Sequence, residues 1–471
     1  MNELIESPAT VLAARIRTGE LTARAVLEAH IARTDQVNPA INALVVERFD
    51  AARGEADEAD ARIAAASAEA ILPPLLGVPF TAKEFMQVEG LPNTAGSVYR
   101  MGQTASKDAP VVTRMREAGA ILLGLTNVPE GGLWMETYNA VYGRTNNPWD
   151  LKRTCGGSSG GEGALVAAGG SAIGVGADVG GSIRLPSGFC GIVGHKPTGG
   201  LVPTQGHWPT IGDGSDPALT VGPMVRCVAD VLPILRVMAG EEAGLPSTLP
   251  PLGRPRLHVL DGTGAWGVQR VVKRGVQSAA GALEAAGAQR APERPKLLLK
   301  GLDAWATSLL GAGGESFDSL MSGGGRVPLL KEMALATVGR SKHIAPVLIV
   351  LALERMLSGV GGDNEKGRAR IVAMRAELEA LLGEDGLLLC PLYPTVAPRH
   401  GVPLWRPFGF LWTAVFNAMH FPVTVVPVGF DAKGVPLCVQ IVGPRGADVR
   451  TIAAAACVEA ALGKWSPAEP A

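Results

Sequence analysis

Two hydrophobic patterns alternate along this chain, one typical of amphipathic helices and the other of buried strands. Over residues 22–37, apolar side chains recur at helical spacing with charged side chains opposite, which predicts a helix that the Asn38-Pro39 pair should end. Short continuous apolar runs predict strands that are buried on both faces. These runs lie at residues 75–83, 120–124, 172–179, 192–194, 256–260, 387–391, 423–428 and 437–442.

Helical patterns recur between the predicted strands. Further helices are predicted over residues 51–70, 108–118, 161–170, 226–239, 268–286, 344–356 and 451–462, and a loop over residues 202–221. Helices and strands that follow one another in this way are typical of α/β proteins, so we expect a mixed or parallel sheet with helices packed on it.

Length and composition bear on the domain organisation. A chain of 471 residues with 47% hydrophobic residues could form two domains or one large α/β unit with insertions. We favour a single domain over residues 1–471. Glycine clusters at 311–314 and 323–325 indicate a variable or mobile segment around residues 300–340.

Charge, cysteine usage and hydropathy exclude several classes of protein. A net charge of −1, without a basic stripe, argues against nucleic-acid binding. The six cysteines lack CxxC and zinc-ligand spacing, which favours free thiols in a cytoplasmic protein. The N-terminus lacks a signal peptide, and the longest apolar run, at 344–353, is too short to cross a bilayer. We therefore expect a cytoplasmic monomer or homodimer with no transmembrane segment, metal or cofactor.

The strongest chemical signal is a pair of Gly-Gly-Ser turns at 156–158 and 180–182. Glycines beside a serine leave backbone N–H groups bare next to a hydroxyl, and acyl transfer needs a nucleophilic oxygen beside oxyanion donors. A phosphate-binding loop would need a lysine after the glycines, and none follows them here. An α/β-hydrolase elbow would match G-x-S-x-G at 156–160, but the hydrophobic strand that should precede it is missing.

A serine hydrolase with a lysine base is the third alternative. Lys83 ends the apolar run at 75–83, and desolvation of a buried lysine lowers its pKa so that it can act as a neutral base. Two serines would then allow a proton relay. Taken alone, however, a lysine at this position is more often the solvated end of a strand.

Other motifs in the chain favour a catalytic role for Lys83. Four stretches resemble the amidase signature family: GVPFTAK at 77–83, GGSSGG at 156–161, DVGGSIRLP at 178–186 and GIVGHKPT at 191–198. Glu84 and the sequence YGRTNNP at 142–148 further resemble its fatty-acid-amide-hydrolase-like branch. The resemblance implies the amidase-signature fold, an α/β structure whose central mixed β-sheet is covered by helices on both faces.

The resemblance also implies roles for individual residues. Ser182 would be the nucleophile, Ser158, held by a cis peptide bond, the proton shuttle, and Lys83 the base. Backbone N–H groups would form an oxyanion hole, with three side chains supporting the site. The hole would comprise Val179, Gly180, Gly181 and Ser182, and the supports would be Ser159, Asp178 and Arg184.

The substrate pocket is expected to be apolar, with its walls in two clusters of large side chains. These clusters contribute Leu133, Trp134, Met135, Trp412 and Phe416. We expect hydrolysis of the C–N bond of a small-molecule apolar acyl amide or anilide, with a carbamate hydrolase (urethanase) or an esterase as the alternative. A non-catalytic family member is disfavoured, because Lys83, Ser158 and Ser182 are all present.

Overall fold

The computed structural model describes residues 2–67, 69–210, 218–262, 267–293, 305, 315–357, 364–463 and 465–470. Its largest element is a sheet of eleven strands, and two further sheets have two strands each. The strands are β1 (Leu44–Glu47), β2 (Pro79–Lys83), β3 (Ile121–Thr126), β4 (Tyr138–Asn139), β5 (Gly143–Arg144), β6 (Asn146–Asn147), β7 (Asp150–Thr154), β8 (Ile173–Asp178), β9 (Val193–Lys196), β10 (Thr220–Val225), β11 (Arg256–Val259), β12 (Gln289–Arg290), β13 (Leu387–Cys390), β14 (Val423–Phe430) and β15 (Pro436–Val442).

The described part of the chain also forms fifteen α-helices. They are α1 (Asn2–Glu6), α2 (Ala9–Arg17), α3 (Ala23–Ile41), α4 (Phe49–Ala64), α5 (Pro110–Glu117), α6 (Gly160–Ala167), α7 (Arg184–Cys190), α8 (Val231–Ala239), α9 (Arg270–Ala285), α10 (Phe317–Ser322), α11 (Leu329–Thr337), α12 (Ala345–Leu357), α13 (Asn364–Leu382), α14 (Leu411–Ala418) and α15 (Asp448–Leu462). No helix within these ranges combines the length and the apolar character needed to cross a bilayer.

The large sheet is mixed, as expected. Its strand order is β1-β3-β2-β8-β10-β9-β14-β15-β13-β11-β12. Strand β2 runs parallel to both of its neighbours, β3 and β8, whereas β10, β9, β14 and β15 are joined by antiparallel pairing. Strands β2 and β8 therefore end at the same edge, where parallel neighbours bring their carboxyl-terminal residues together.

Alternation along β2 directs apolar and polar side chains to opposite faces of the sheet. Phe80 and Ala82 belong to the main hydrophobic core, together with side chains of α2, α3 and α4. Thr81 and Lys83 lie on the other face, where Thr81 Oγ1 donates to Glu162 of α6 at 2.6 Å. At β2 the sheet thus separates the main apolar core from a group of buried polar side chains, and the candidate site is built among those polar side chains.

Helices α10, α11 and α12 are attached to the loop that follows β3. His343 Nδ1 lies 2.6 Å from Glu130 Oε1, and the backbone N–H of Ile344 donates to Glu130 Oε2 at 2.9 Å. Apolar side chains of these helices also pack against Leu133 and Trp134. A buried polar link and an apolar contact therefore hold these helices beside the loop at 130–135.

The structure departs from the predicted elements at several places. Helix α3 continues through Asn38 and Pro39 to Ile41, so the predicted helix end is wrong. Strand β10 begins at Thr220, at the end of the predicted loop at 202–221, and like α13 it has no counterpart among the predicted elements. Within the segment at 300–340, α10 and α11 are helical, while residues 300–304 and 306–314 lie outside the described residues.

The cysteines agree with the expectation of free thiols. All six are unpaired with one another, and four of them are buried. The buried ones are Cys155, Cys190, Cys390 and Cys438.

Candidate active site

Lys83 is buried at the carboxyl end of β2 rather than solvated. Its side chain is 1% exposed, and its Nζ donates to Ser158 Oγ at 2.6 Å and to the carbonyl oxygen of Ala177 at 3.3 Å. The Phe85 ring covers the amine, with its centroid 4.4 Å from Nζ. The interpretation of Lys83 as a solvated strand end is therefore wrong.

Burial controls the protonation of this amine. It lowers the pKa of Lys83 to about 7, although the negative charges of Asp178 and Glu162 act in the opposite direction. Both protonation states of Lys83 are therefore available near neutral pH, which is what a general base requires.

The turn that carries Ser158 is tightly enclosed. The Gly157-Ser158 peptide bond is cis, as the resemblance implies. A Cβ at Gly157 would lie 2.7 Å from the carbonyl oxygen of Trp134, so only glycine fits. Thr137 Oγ1 donates to the Gly156 carbonyl at 2.8 Å and holds the turn from the same side. The loop at 134–137 thus fixes the position of Ser158.

The second turn begins where β8 ends, at the fully buried Asp178. The carboxylate of Asp178 accepts the backbone N–H groups of Gly181 at 2.7 Å and Ile183 at 3.0 Å. It also pairs with the Arg184 guanidinium, whose Nη2 lies 2.9 Å from Oδ1. Burial alone would raise the pKa of Asp178, but Arg184 and these hydrogen bonds hold it well below its usual range.

Side chains and carbonyls from α14 complete the support of this turn. Asn417 Nδ2 donates to the carbonyl oxygen of Asp178 at 3.1 Å and to its Oδ1 at 2.9 Å. Arg184 Nη1 donates to the carbonyl oxygen of Thr413 at 2.8 Å. The predicted supports Asp178 and Arg184 thus form one buried network with a helix from the far end of the chain.

Ser159, the third predicted support, joins the two turns. Its backbone N–H donates to the carbonyl oxygen of Ser182 at 3.1 Å. Its Oγ lies 3.1 Å from the carbonyl oxygen and 3.2 Å from the nitrogen of Ala177, in β8. Ser158 and Ser182 are therefore held on adjacent turns, although among the described residues Ser182 Oγ has no hydrogen-bond partner.

The turn at 179–182 is where the site opens. Over residues 154–197, only Val179, Gly180 and Ser182 are less than fully buried. The Gly181 N–H is engaged by Asp178, so of the four predicted oxyanion donors this one is directed into the protein. Among the described residues, the N–H groups of Gly180 and Ser182 have no acceptor. These two groups remain available to bind a developing negative charge.

The predicted pocket residues fall into two groups. Leu133, Trp134 and Met135 lie in the loop that packs against Gly157, next to Ser158. Trp412 and Phe416 are each 2% exposed and lie in a core cluster with α13 and β15, so they do not line an open pocket. The reason is helical spacing on α14, which turns Thr413 and Asn417 towards the second turn and Trp412 and Phe416 into the core.

Two buried carboxyl groups were not predicted as site residues. Glu162 of α6 accepts hydrogen bonds from Thr81 and Thr126, and burial raises its pKa to about 8. Glu84 accepts the backbone N–H groups of Thr94 and Ala95, and burial raises its pKa to about 7. Their positions in the sequence were the available signal, since Glu84 follows Lys83 and Glu162 follows the first serine turn.

Trp305 is a further residue that the sequence analysis missed. Its indole Nε1 donates to the carbonyl oxygen of Val179 at 3.0 Å, and its ring meets Phe410 edge-to-face with centroids 4.8 Å apart. A tryptophan in a glycine-rich segment of a chain with only 5% aromatic residues was the available signal.

Comparisons with known proteins identify relatives over nearly the whole chain. The family model described as Amidase matches residues 25–452. Human fatty-acid amide hydrolase 2 is 38% identical over an alignment of 480 positions, and the alignment covers 96% of this chain and 88% of that protein. Acylamidase from Rhodococcus erythropolis is 32% identical over an alignment of 495 positions, and the alignment covers 98% of this chain and 97% of that protein.

The solved structures give the same answer for the fold. A structure of fatty acid amide hydrolase matches with a TM-score of 0.81 at 22% identity, over 98% of this chain and 86% of that one. The chain therefore belongs to the amidase signature family, in its fatty-acid-amide-hydrolase-like branch, and is a hydrolase of carbon–nitrogen bonds other than peptide bonds.

Proposed function

We propose that this chain hydrolyses apolar acyl amides or anilides through an acyl-enzyme formed on Ser182, with Ser158 as proton shuttle and Lys83 as base. The observation that carries the proposal is the 2.6 Å contact between Lys83 Nζ and Ser158 Oγ in a fully buried layer, beside a turn whose only hydroxyl, that of Ser182, is open to solvent. A neutral amine, a bridging hydroxyl and an accessible hydroxyl are the parts of a serine hydrolase with a lysine base.

Acylation begins with neutral Lys83. Ser182 Oγ attacks the substrate carbonyl carbon while its proton passes to Ser158 Oγ and the proton of Ser158 passes to Lys83 Nζ. The tetrahedral intermediate then collapses, the C–N bond breaks, and the proton returns through Ser158 to the leaving nitrogen. A free amine and an ester between the acyl group and Ser182 remain.

Deacylation repeats the sequence with water. Water attacks the acyl carbon and gives its proton through Ser158 to Lys83, and that proton then returns to Ser182 Oγ as the carboxylic acid leaves. In both steps the oxygen of the tetrahedral intermediate would accept the N–H groups of Gly180 and Ser182. Because Lys83 ends each half-reaction neutral, its lowered pKa supports repeated turnover.

The apolar character of the surroundings supports an apolar acyl group. Leu133 and Trp134 lie in the loop that packs against Gly157 in the first serine turn, and the Trp305 ring, which meets Phe410 edge-to-face, lies against Gly180 in the second. The names of the human and Rhodococcus relatives, a fatty-acid amide hydrolase and an acylamidase, point the same way. Esters and carbamates pass through the same tetrahedral intermediate, so they are the alternative substrates for this machinery.

Labelling with a fluorophosphonate probe, followed by peptide mapping, tests the nucleophile. We expect the label on Ser182. A label on another residue, or no label, contradicts the proposed chemistry. Hydrolysis of oleamide, p-nitroacetanilide and an aryl carbamate then ranks the substrate classes. Turnover of the carbamate alone would replace the amidase proposal with the urethanase alternative.

A further inference from the structure

The two carbonyl groups at the start of the second turn are held by residues from outside the turn. Trp305 Nε1 donates to the Val179 oxygen at 3.0 Å. Thr413 Oγ1 lies 2.7 Å from both the Gly180 oxygen and the Phe410 oxygen. The Phe410 oxygen already accepts two backbone N–H groups of α14, so the single hydroxyl proton is directed to the Gly180 oxygen. Neither residue lies in a motif that the sequence analysis connected with the chemistry.

A planar trans peptide carries its C=O and N–H groups on opposite sides, so a donor that fixes the oxygen also fixes the direction of the N–H. The peptide between Gly180 and Gly181 is held at both ends, since its N–H donates to Asp178 Oδ1 at 2.7 Å. In the preceding peptide only the Val179 oxygen is held. Its N–H, that of Gly180, therefore points away from Trp305 and is left without an acceptor among the described residues.

The indole ring of Trp305 is restricted by packing as well as by its hydrogen bond. A Cβ at Gly180 would lie 3.1 Å from Trp305 Nε1, so the ring lies directly on the turn. A Cβ at Gly181 would lie 2.2 Å from Thr413 Oγ1, so α14 is equally close on its own side. The turn is thus enclosed by Trp305 and Thr413, and a change in either allows the peptide to rotate.

We propose that Trp305 is a positioning residue of the oxyanion hole, which aims the Gly180 N–H by holding the Val179 carbonyl, and that Thr413 holds the adjoining peptide in the same way. This inference rests on the proposed acyl transfer at Ser182. It gives Trp305 an effect on the transition state that is separate from any contact between its indole ring and the acyl group.

The test compares Trp305→Phe with Trp405→Phe. The first keeps an aromatic ring and removes the indole N–H, and the second makes the same change at a side chain that is 88% exposed. Removal of an oxyanion donor costs 10²–10³ in kcat, so a donor that is only misdirected should cost ~10-fold. We expect Trp305→Phe to lower kcat by ~10-fold with little change in KM, and Trp405→Phe to leave both unchanged.

Two inhibitors separate positioning from simple packing. An alkyl trifluoromethyl ketone forms a tetrahedral oxyanion on the nucleophilic serine, whereas the corresponding alcohol occupies the same space without forming one. Trp305→Phe should weaken only the ketone, by about the factor lost in kcat. Equal weakening of both, or of neither, overturns the proposal.

Variants of Thr413 give an independent check with the same two inhibitors. Thr413→Val removes the hydroxyl at nearly constant volume and should also weaken the ketone selectively, whereas Thr413→Ser should restore most of the ketone affinity. No recovery in Thr413→Ser contradicts the role of the hydroxyl. If the wild-type chain hydrolyses no amide, ester or carbamate, the proposed function fails and this inference fails with it. An active wild type with unaffected Trp305→Phe overturns only the inference.

Discussion

Lys83 Nζ donates to Ser158 Oγ at 2.6 Å, and within the described residues no carboxylate is in salt-bridge contact with this amine. The two carboxylates whose charges reach it, those of Asp178 and Glu162, are engaged instead by Arg184 and by threonine hydroxyls. Desolvation is therefore the larger influence on the lysine, and a hydroxyl takes the place that a carboxylate would occupy in an ordinary buried ion pair.

The rate of acylation should follow the titration of Lys83. Only the neutral amine accepts the proton of Ser158, and the pKa of Lys83 is lowered to about 7. We expect kcat/KM to increase with pH through about 7 and then to level off. Measurement with an anilide over roughly pH 5.5 to 9 checks this, and a profile that is flat across that range contradicts Lys83 as the base.

Stability should depend on pH through the same residue. The pKa of Lys83 is about 7 in the folded chain against an ordinary value of 10.5, so between these values the unfolded chain binds more protons and stability increases with pH. Lys83→Met should therefore raise Tm, most strongly below about pH 7 and least near pH 10. Lys152→Met, at an exposed lysine, is the control. A gain that does not depend on pH would show that burial of charge is not its cause.

Ser182→Ala should abolish turnover and probe labelling without changing Tm, because its Oγ makes no hydrogen bond among the described residues. Ser158→Ala and Lys83→Met should each lower kcat by several orders of magnitude. The double variant should be little worse than either, since both residues act in one proton path. Kinetic analysis of the three variants checks this, and additive losses would indicate separate roles.

Arg184→Met should destabilise the chain strongly. It leaves the Asp178 carboxylate buried without its ion-pair partner, a change that typically costs ~3–5 kcal/mol. Chemical denaturation measures the loss of unfolding free energy. Arg24→Met, which breaks surface ion pairs with Glu28 and Asp57, should cost far less, because water screens such pairs. Similar losses in the two variants would contradict a special role for the buried pair.

Much of the architecture could be predicted because local pattern and tertiary position agree. The apolar run before Lys83 and the run before Asp178 are strands in the structure, and both end at the site. These predictions relied on residues whose neighbours in sequence are also their neighbours in space.

The failures occur where distant contacts override local signals. Strand β10 carries Gly222 and Pro223, which argue against an interior strand, yet a Cβ at Gly222 would lie 2.2 Å from the His195 oxygen, so the close pairing requires glycine. Within β10, only Met224 and Val225 pair with β9, so Pro223 lies beyond that short ladder. Pro39 is tolerated because it falls in the last turn of α3 and removes a single backbone donor.

The errors at the site also come from contacts between distant parts of the chain. Trp305 reaches a carbonyl 126 positions earlier in the chain, and no local pattern marks that contact. Trp412 and Phe416 have the composition of a pocket wall, but the register of α14 against Asp178 and Gly180 turns them into the core. Only the assembled structure shows which face of that helix meets the site.

The reach of Asn417 has a consequence for synthesis of the chain. Ser182 and its turn leave the ribosome early, but the side chain that holds Asp178 follows 239 residues later. A growing chain therefore contains both serines before it contains α14, whose Thr413 and Asn417 complete the support of the second turn. Hydrolytic competence should appear only as the last strands and helices are added, so that activity reports completion of the polypeptide.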